Sequence, residues 1–114
     1  MAAKANIIVD QSTTFNTTLD LTDDYDRPID LTGFTAEAQI RKWYTSSNVV
    51  SFDVSLPNAA NGQIQLALSA NTTKNMAYGR YVYDVITIDG SGTVTRVVEG
   101  ILTVTPEVTT VVYP

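Results

Sequence analysis

The stretch Gly79-Arg80-Tyr81-Val82-Tyr83-Asp84-Val85-Ile86-Thr87-Ile88-Asp89-Gly90-Ser91-Gly92-Thr93-Val94-Thr95-Arg96-Val97-Val98-Glu99-Gly100-Ile101-Leu102-Thr103-Val104-Thr105 decides how this chain folds. Two runs rich in β-branched and aromatic residues flank Asp89-Gly90-Ser91-Gly92, whose glycines supply the positive φ that a tight hairpin needs. In the first run Tyr81, Tyr83 and Val85 alternate with Arg80, Val82 and Asp84, which puts both tyrosines on one face. The return run is long for a strand. The spacing predicts one long β-hairpin at the centre of a sheet, with the rest of the chain covering it.

Further strands follow from alternation. Ile7-Ile8-Val9 is a short apolar run. From Thr13 to Thr22, Phe15, Thr17, Leu19 and Leu21 share a face. Phe34, Ala36, Ala38 and Ile40 alternate with Thr35, Glu37, Gln39 and Arg41. Val50, Phe52, Val54 and Leu56 mark one more strand, and Ile64, Leu66 and Leu68 another. The alanines at two inward positions imply a bulky neighbour on the facing sheet, for which the tyrosines are the candidates, because interiors are close-packed. Only Ser69–Ala77 suits a helix, a turn or two long with Ser69 as N-cap. Residues 1–6 read as an arm. Pro106 interrupts the last strand, so 107–114 read as a tail.

The pattern predicts an all-β chain of one domain over residues 1–114: a single antiparallel β-sandwich, immunoglobulin-like in architecture, with about seven strands and one short helical turn. The expected core is Phe34, Ile40, Phe52, Val54, Ile64, Leu66, Tyr81, Tyr83 and Val98.

Composition narrows the function. The 114 residues include no cysteine and no histidine, so disulfides, thiolate chemistry, the commonest general base and the commonest metal ligand are all missing. A net charge of −5 with scattered basic residues argues against nucleic acid as a partner, since that binding neutralises phosphates. No apolar run has the length of a signal peptide or a membrane span, so no membrane partner is expected and synthesis in a cytoplasm is. No nucleophile–base motif, glycine-rich phosphate loop or ligand cluster is present, and neither enzymatic activity nor a cofactor is expected. Carboxylates such as Asp53, Glu37 and Asp84 sit on strand faces, where they are normally solvated. Asp20, Asp23, Asp24, Asp26 and Asp30 do not match the calcium-loop spacing and read as turn aspartates. Asn16-Thr17-Thr18 and Asn71-Thr72-Thr73 match the N-glycosylation pattern, which means little without a secretory signal.

Two groups of residues are candidates for contact with a partner. Trp43 and Tyr44, with Tyr25 or Tyr78, either form an aromatic surface or leave Trp43 capping one end of the sandwich. In the tail, Val108, Val111, Val112 and Tyr113 make an apolar, β-prone segment suited to pairing with a sheet edge, its own or a neighbour's.

Asp30-Leu31-Thr32-Gly33-Phe34-Thr35-Ala36-Glu37-Ala38-Gln39-Ile40-Arg41 resembles a segment of small virion proteins of tailed bacteriophages. Gly79-Arg80-Tyr81-Val82-Tyr83-Asp84 and Thr95-Arg96-Val97-Val98-Glu99-Gly100 resemble their ending, and Asn61-Gly62-Gln63-Ile64 with Leu66 the part between. The N-terminal domain of phage baseplate upper proteins shows a related pattern, followed there by a fibre-like region. The resemblance covers most of residues 7–107. It implies a non-enzymatic β-sandwich of a virion, made in the host cytoplasm. Its partners would be other virion proteins, capsid or tail and baseplate subunits, and copies of itself. It transfers no catalytic residue. The rival expectation is a carbohydrate-binding or adhesion module using Trp43 and Tyr44.

Overall fold

The computed structural model describes residues 3–23 and 25–107. The hairpin forms as the sequence predicts: β8 (Gly79–Ile88) and β9 (Val94–Thr105) pair antiparallel from Gly79↔Val104 to Ile88↔Val94. The turn is held by one side chain. Asp89 Oδ1 accepts from the Ser91 amide (2.9 Å), the Ser91 hydroxyl (2.8 Å) and the Thr93 amide (2.9 Å).

Around the hairpin the remaining strands are β1 (Ala3–Lys4), β2 (Ile7–Asp10), β3 (Phe15–Asp20), β4 (Thr35–Arg41), β5 (Val49–Ser51), β6 (Asp53–Asn58) and β7 (Gln63–Leu68). The large sheet runs β1-β9-β8-β4-β5, with β2 also on β9; the small sheet runs β3-β7-β6. Two mainly antiparallel sheets wound in this order make an immunoglobulin-like sandwich. The parallel pairs β1–β9 and β2–β9 depart from a purely antiparallel design. Between β7 and β8 lies the helical turn α1 (Ala70–Lys74), capped as expected by Ser69, whose Oγ accepts from the Thr72 amide at 3.2 Å.

Three expectations need correction. The run from Val50 to Leu56 is two strands, not one. It crosses from the large sheet to the small one at Phe52, and the alternation survives because both inner faces point at the same core. The tyrosines do not face the alanines. Tyr83 is opposite Ile40 in the same sheet as Ala36 and Ala38. The bulky neighbour is Phe52, whose amide bonds to the Ala38 carbonyl (3.0 Å) and whose ring sits edge-on to Tyr83 (6.0 Å, 76°). Finally, residues 3–6 are not a loose arm. Ala3 and Lys4 pair with Val98 and Glu99, the Ala5 amide bonds to the Glu99 carbonyl, and the Tyr83 hydroxyl donates to the Ala5 carbonyl. Gly100 permits this approach: a Cβ there would lie 2.0 Å from the Ala5 oxygen. Burial pushes the Tyr83 phenol up to about 12.

The core closes between the sheets. Ile40, Phe52, Ile64, Leu66, Tyr83 and Val98 are buried as predicted, while Phe34, Val54 and Tyr81 are half-buried at its margin. Leu31, Leu102 and Val104 join it. At the upper end the 59–61 turn meets the 21–34 connection through Gly62 (φ 72°), where a Cβ would stand 2.6 Å from the Leu21 oxygen. At the lower end the Gln11 side chain donates to the Met76 carbonyl (2.9 Å) and accepts from the Glu107 amide (3.1 Å).

Phe52→Ala should cost about 3–5 kcal/mol in denaturant unfolding, the range for deleting a buried phenylalanine. A loss under about 1 kcal/mol would mean that Phe52 does not join the two sheets. Gly100→Ala should lower the melting temperature and speed amide exchange at Ala5. Unchanged exchange there would show that the close approach is not needed.

Candidate functional site

The outer face of the large sheet is the candidate interaction surface. Its side chains come from the outward positions of four strands. β8 gives Val82, Asp84 and Ile86; β4 gives Gln39 and Arg41; β5 gives Val49; β9 gives Arg96, Glu99 and Ile101. Arg96 and Glu99 are three apart, and in a regular strand they would point to opposite faces. A bulge brings them together. Val85 pairs with Val98 but Ile86 pairs with Arg96, so Val97 has no partner and the parity of β9 flips. Arg96 then reaches Asp84 (Nε–Oδ2, 3.2 Å) and Glu99 (Nη1–Oε2, 3.2 Å) together.

These charges line an open groove of about 490 Å³, with Val82 and Ile86 beneath and Tyr44 and Thr45 at its rim. The volume falls within the range of small-ligand sites. Its two arginines and two carboxylates cancel, so the groove carries no net charge to select an ion. The ion pairs are partly exposed and each adds little to stability. Beside the groove Ile101 is 40% exposed and Ile8, on β2, 70% exposed. Scattered apolar side chains are ordinary, but these share one face with the groove.

Loop 42–48 overhangs the lower end of this face. The Arg41 guanidinium donates to the Ser46 carbonyl and to Gln39 Oε1, and the Ser46 amide closes a turn onto the Trp43 carbonyl (3.0 Å). With its base pinned, the loop holds Trp43 and Tyr44 outward, 60% and 73% exposed. Trp43 therefore does not cap the core. Tyr78, also exposed, leads into β8 at this same end, where the Lys42 ammonium lies 4.7 Å above the Tyr81 ring. Tyr25 is at the opposite end, in the connection from β3 to β4, under the Arg27 guanidinium (5.2 Å). Tyr25 therefore does not join Trp43 and Tyr44, while Tyr78 lies at their end of the sandwich. The tail candidates Val108, Val111, Val112 and Tyr113 lie outside the described residues.

No protein-family model matches the chain, and no curated protein matches it. Its likenesses are to solved structures. It superposes on the SrpA adhesin of Streptococcus sanguinis with a TM-score of 0.56 at 12% identity, over 89% of this chain and 55% of that one. It superposes on the internalin-like protein lmo2027 of Listeria monocytogenes with a TM-score of 0.51 at 20% identity, over 91% of this chain and 28% of that one. Murine CRIg matches at 0.42 with 10% identity, over 90% and 92%. The chain thus spans about half of the SrpA chain and about a quarter of lmo2027. At these identities the likeness is one of fold.

Other sequence candidates separate in space. Asp53 projects from the small sheet and Glu37 from the outer face of the large one, so they do not share a cleft. Two carboxylates of the acidic turn are engaged locally. Asp23 Oδ1 accepts from the Tyr25 and Arg27 amides (2.8 and 3.0 Å), and Asp30 Oδ1 from the Thr32 amide and hydroxyl (2.9 and 2.6 Å). Among the described residues no group of three or more acidic side chains converges as metal ligands, and no helix is long and apolar enough to cross a membrane.

Those hydrogen bonds hold Asp23 below the ordinary carboxylate value, chiefly through the Arg27 amide; Asp30 is lowered mainly by the Thr32 hydroxyl, and Asp89 mainly by the Thr93 amide. A depressed folded-state pKa contributes stability above the unfolded value, about 3.9 for aspartate, and loses it as pH falls through the folded value. The melting temperature should therefore fall below about pH 4. Asp89→Asn, which keeps an acceptor but not the titration, should flatten that fall. An equally steep fall in the variant would remove Asp89 from the account.

Proposed function

We propose that this chain is a non-enzymatic docking module of a tailed-phage virion, seated on a repetitive surface of the capsid or of the tail and baseplate. The motif resemblance over residues 7–107 supplies the setting. One structural observation supports docking: a loop pinned by Arg41 and Ser46 holds Trp43 and Tyr44 in solvent beside an open sheet face. Tryptophan and tyrosine are the residues that most often dominate binding energy when a partner covers them. Exposure at this level gives the isolated fold little in return, so their removal should leave folding intact.

The adhesion reading has its own observation. Tyr44 stands at the rim of a charge-balanced groove that offers both donors and acceptors above an apolar floor. Sugar hydroxyls and ring faces suit such a surface. Measurable affinity of the isolated protein for a glycan, lost in Tyr44→Ala, would select this reading over particle docking.

For the virion reading, the Trp43→Ala/Tyr44→Ala variant should keep its melting temperature and lose copurification with particles, by about tenfold or more if two hot-spot side chains are removed. Gold-labelled antibody on intact particles then distinguishes capsid from tail. Particles that incorporate the double variant normally would overturn the assignment of these residues.

A further inference from the structure

The two sheets differ in how their edges are finished. In the large sheet the edge strands are short: β1 has 2 residues, β2 has 4 and β5 has 3. In the small sheet β6 carries Pro57 and a register break between Ser55 and Asn58. These are ordinary ways to blunt an edge. β3 has none of them. It runs 6 residues, Phe15–Asp20, with no proline, lysine or arginine, and its register with β7 is unbroken from Phe15↔Leu68 to Asp20↔Gln63. Among the described residues nothing pairs with its other side. β2, the strand next to it in the chain, is already committed to β9. Phe15, Thr17 and Leu19 point inward along this edge and are only half-buried.

The sequence contains one segment that matches this edge. Residues 108–113 read Val-Thr-Thr-Val-Val-Tyr. Every one is β-branched or aromatic, none is charged, and six residues span about 20 Å as a strand, the length of β3. Direction favours the segment of another molecule. Glu107 is bonded to Gln11 at the lower end, where β3 begins. From there a chain's own residues 108–113 can follow β3 only in parallel. The same segment of another molecule can enter from the Asp20 end and pair antiparallel, the slightly more stable arrangement.

We infer that the free edge of β3 is an interface between copies of this chain, filled by residues 108–113 of a second copy as an added antiparallel strand. Two molecules lying side by side in opposite directions exchange the segment reciprocally, so the contact closes on itself as a two-fold dimer. Backbone hydrogen bonds supply the attachment, and the half-covered Phe15 and Leu19 gain a neighbour. This inference does not depend on the particle assignment, because the dimer forms in purified protein.

The experiment is sedimentation equilibrium of the whole chain over a range of concentrations. Two variants accompany it. Val111→Asp/Val112→Asp alters only the added strand, outside the described sandwich. Thr18→Lys places a lysine on the exposed side of the β3 edge. The whole chain should sediment at twice the 12.4 kDa chain mass. Both variants should sediment at that mass itself and unfold cooperatively. Should Thr18→Lys fail to fold, the double aspartate variant decides alone. A whole chain that is monomeric at every concentration would overturn the inference, as would a dimer that survives the aspartate substitutions. A monomer whose melting temperature drops with those substitutions would overturn it too, showing that the segment packs on its own sandwich.

Discussion

The ladder between β8 and β9 is the interaction on which the rest of the molecule depends. β8 carries β4 and through it β5, and β9 receives β8 on one side and both N-terminal strands on the other. Its central position makes one glycine decisive. At Gly100 the backbone of Ala5 comes closer than any side chain would allow, and the Tyr83 hydroxyl closes over the same carbonyl. The motif Thr95-Arg96-Val97-Val98-Glu99-Gly100 thus ends on glycine for a steric reason. A buried phenol with a partner is stabilising, and the same phenol without one leaves a desolvated hydroxyl, so Tyr83 and the N-terminal strand stand or fall together.

The bulge at Val97 has a different consequence. It costs β9 one rung of pairing and in return turns Arg96 to the outer face, where it joins Asp84 and Glu99. Were β9 regular through Val97, Arg96 would share the inward parity of Val98 and point at the core as an unpaired charge, which is far more costly than a missing rung. The outer face is therefore set by the backbone of the hairpin. Its upper rim carries the ion pairs, its lower rim the loop with Trp43 and Tyr44. Both lie on the same side of the sandwich, so a partner broad enough to meet one meets the other.

Much of this was legible in the sequence because alternation reports directly on burial. The hairpin from Gly79 to Thr105, the face of Phe15, Thr17 and Leu19, and the Ser69 cap all follow from local pattern. What escaped was non-local or a matter of parity. Phe52 keeps its place in the alternation while the chain changes sheets, so no periodicity marks the crossing. By regular strand parity Arg96 and Glu99 face apart, and Val-Val at 97–98 is the only trace of the bulge in the sequence. Residues 3–6 are too short and too plain to announce a strand; their pairing is written instead in Gly100, far along the chain. In the candidate site, the exposure of Trp43 and Tyr44 was one of two readings of a tryptophan beside a polar loop, and the Arg41–Ser46 contact decides between them. The groove was not legible, because it needs three strands in register and the loop after β4.

In a two-sheet sandwich the first strand has a choice, since it can complete either the sheet that holds the hairpin or the opposite one. Here β1 and β2 both take the hairpin side, where Gly100 admits the backbone and where Asn6 Oδ1 accepts from the Ile101 amide. That choice protects β9, the longest strand, along most of its length. It also strips β3 of the neighbour that would have covered Phe15 and Leu19. One segment cannot serve two edges, so protection of the hairpin and exposure of β3 are a single structural decision. Anything that loosened residues 3–10 from β9 would expose the longer edge, and anything laid along β3 would supply the strand that the N-terminus gave up.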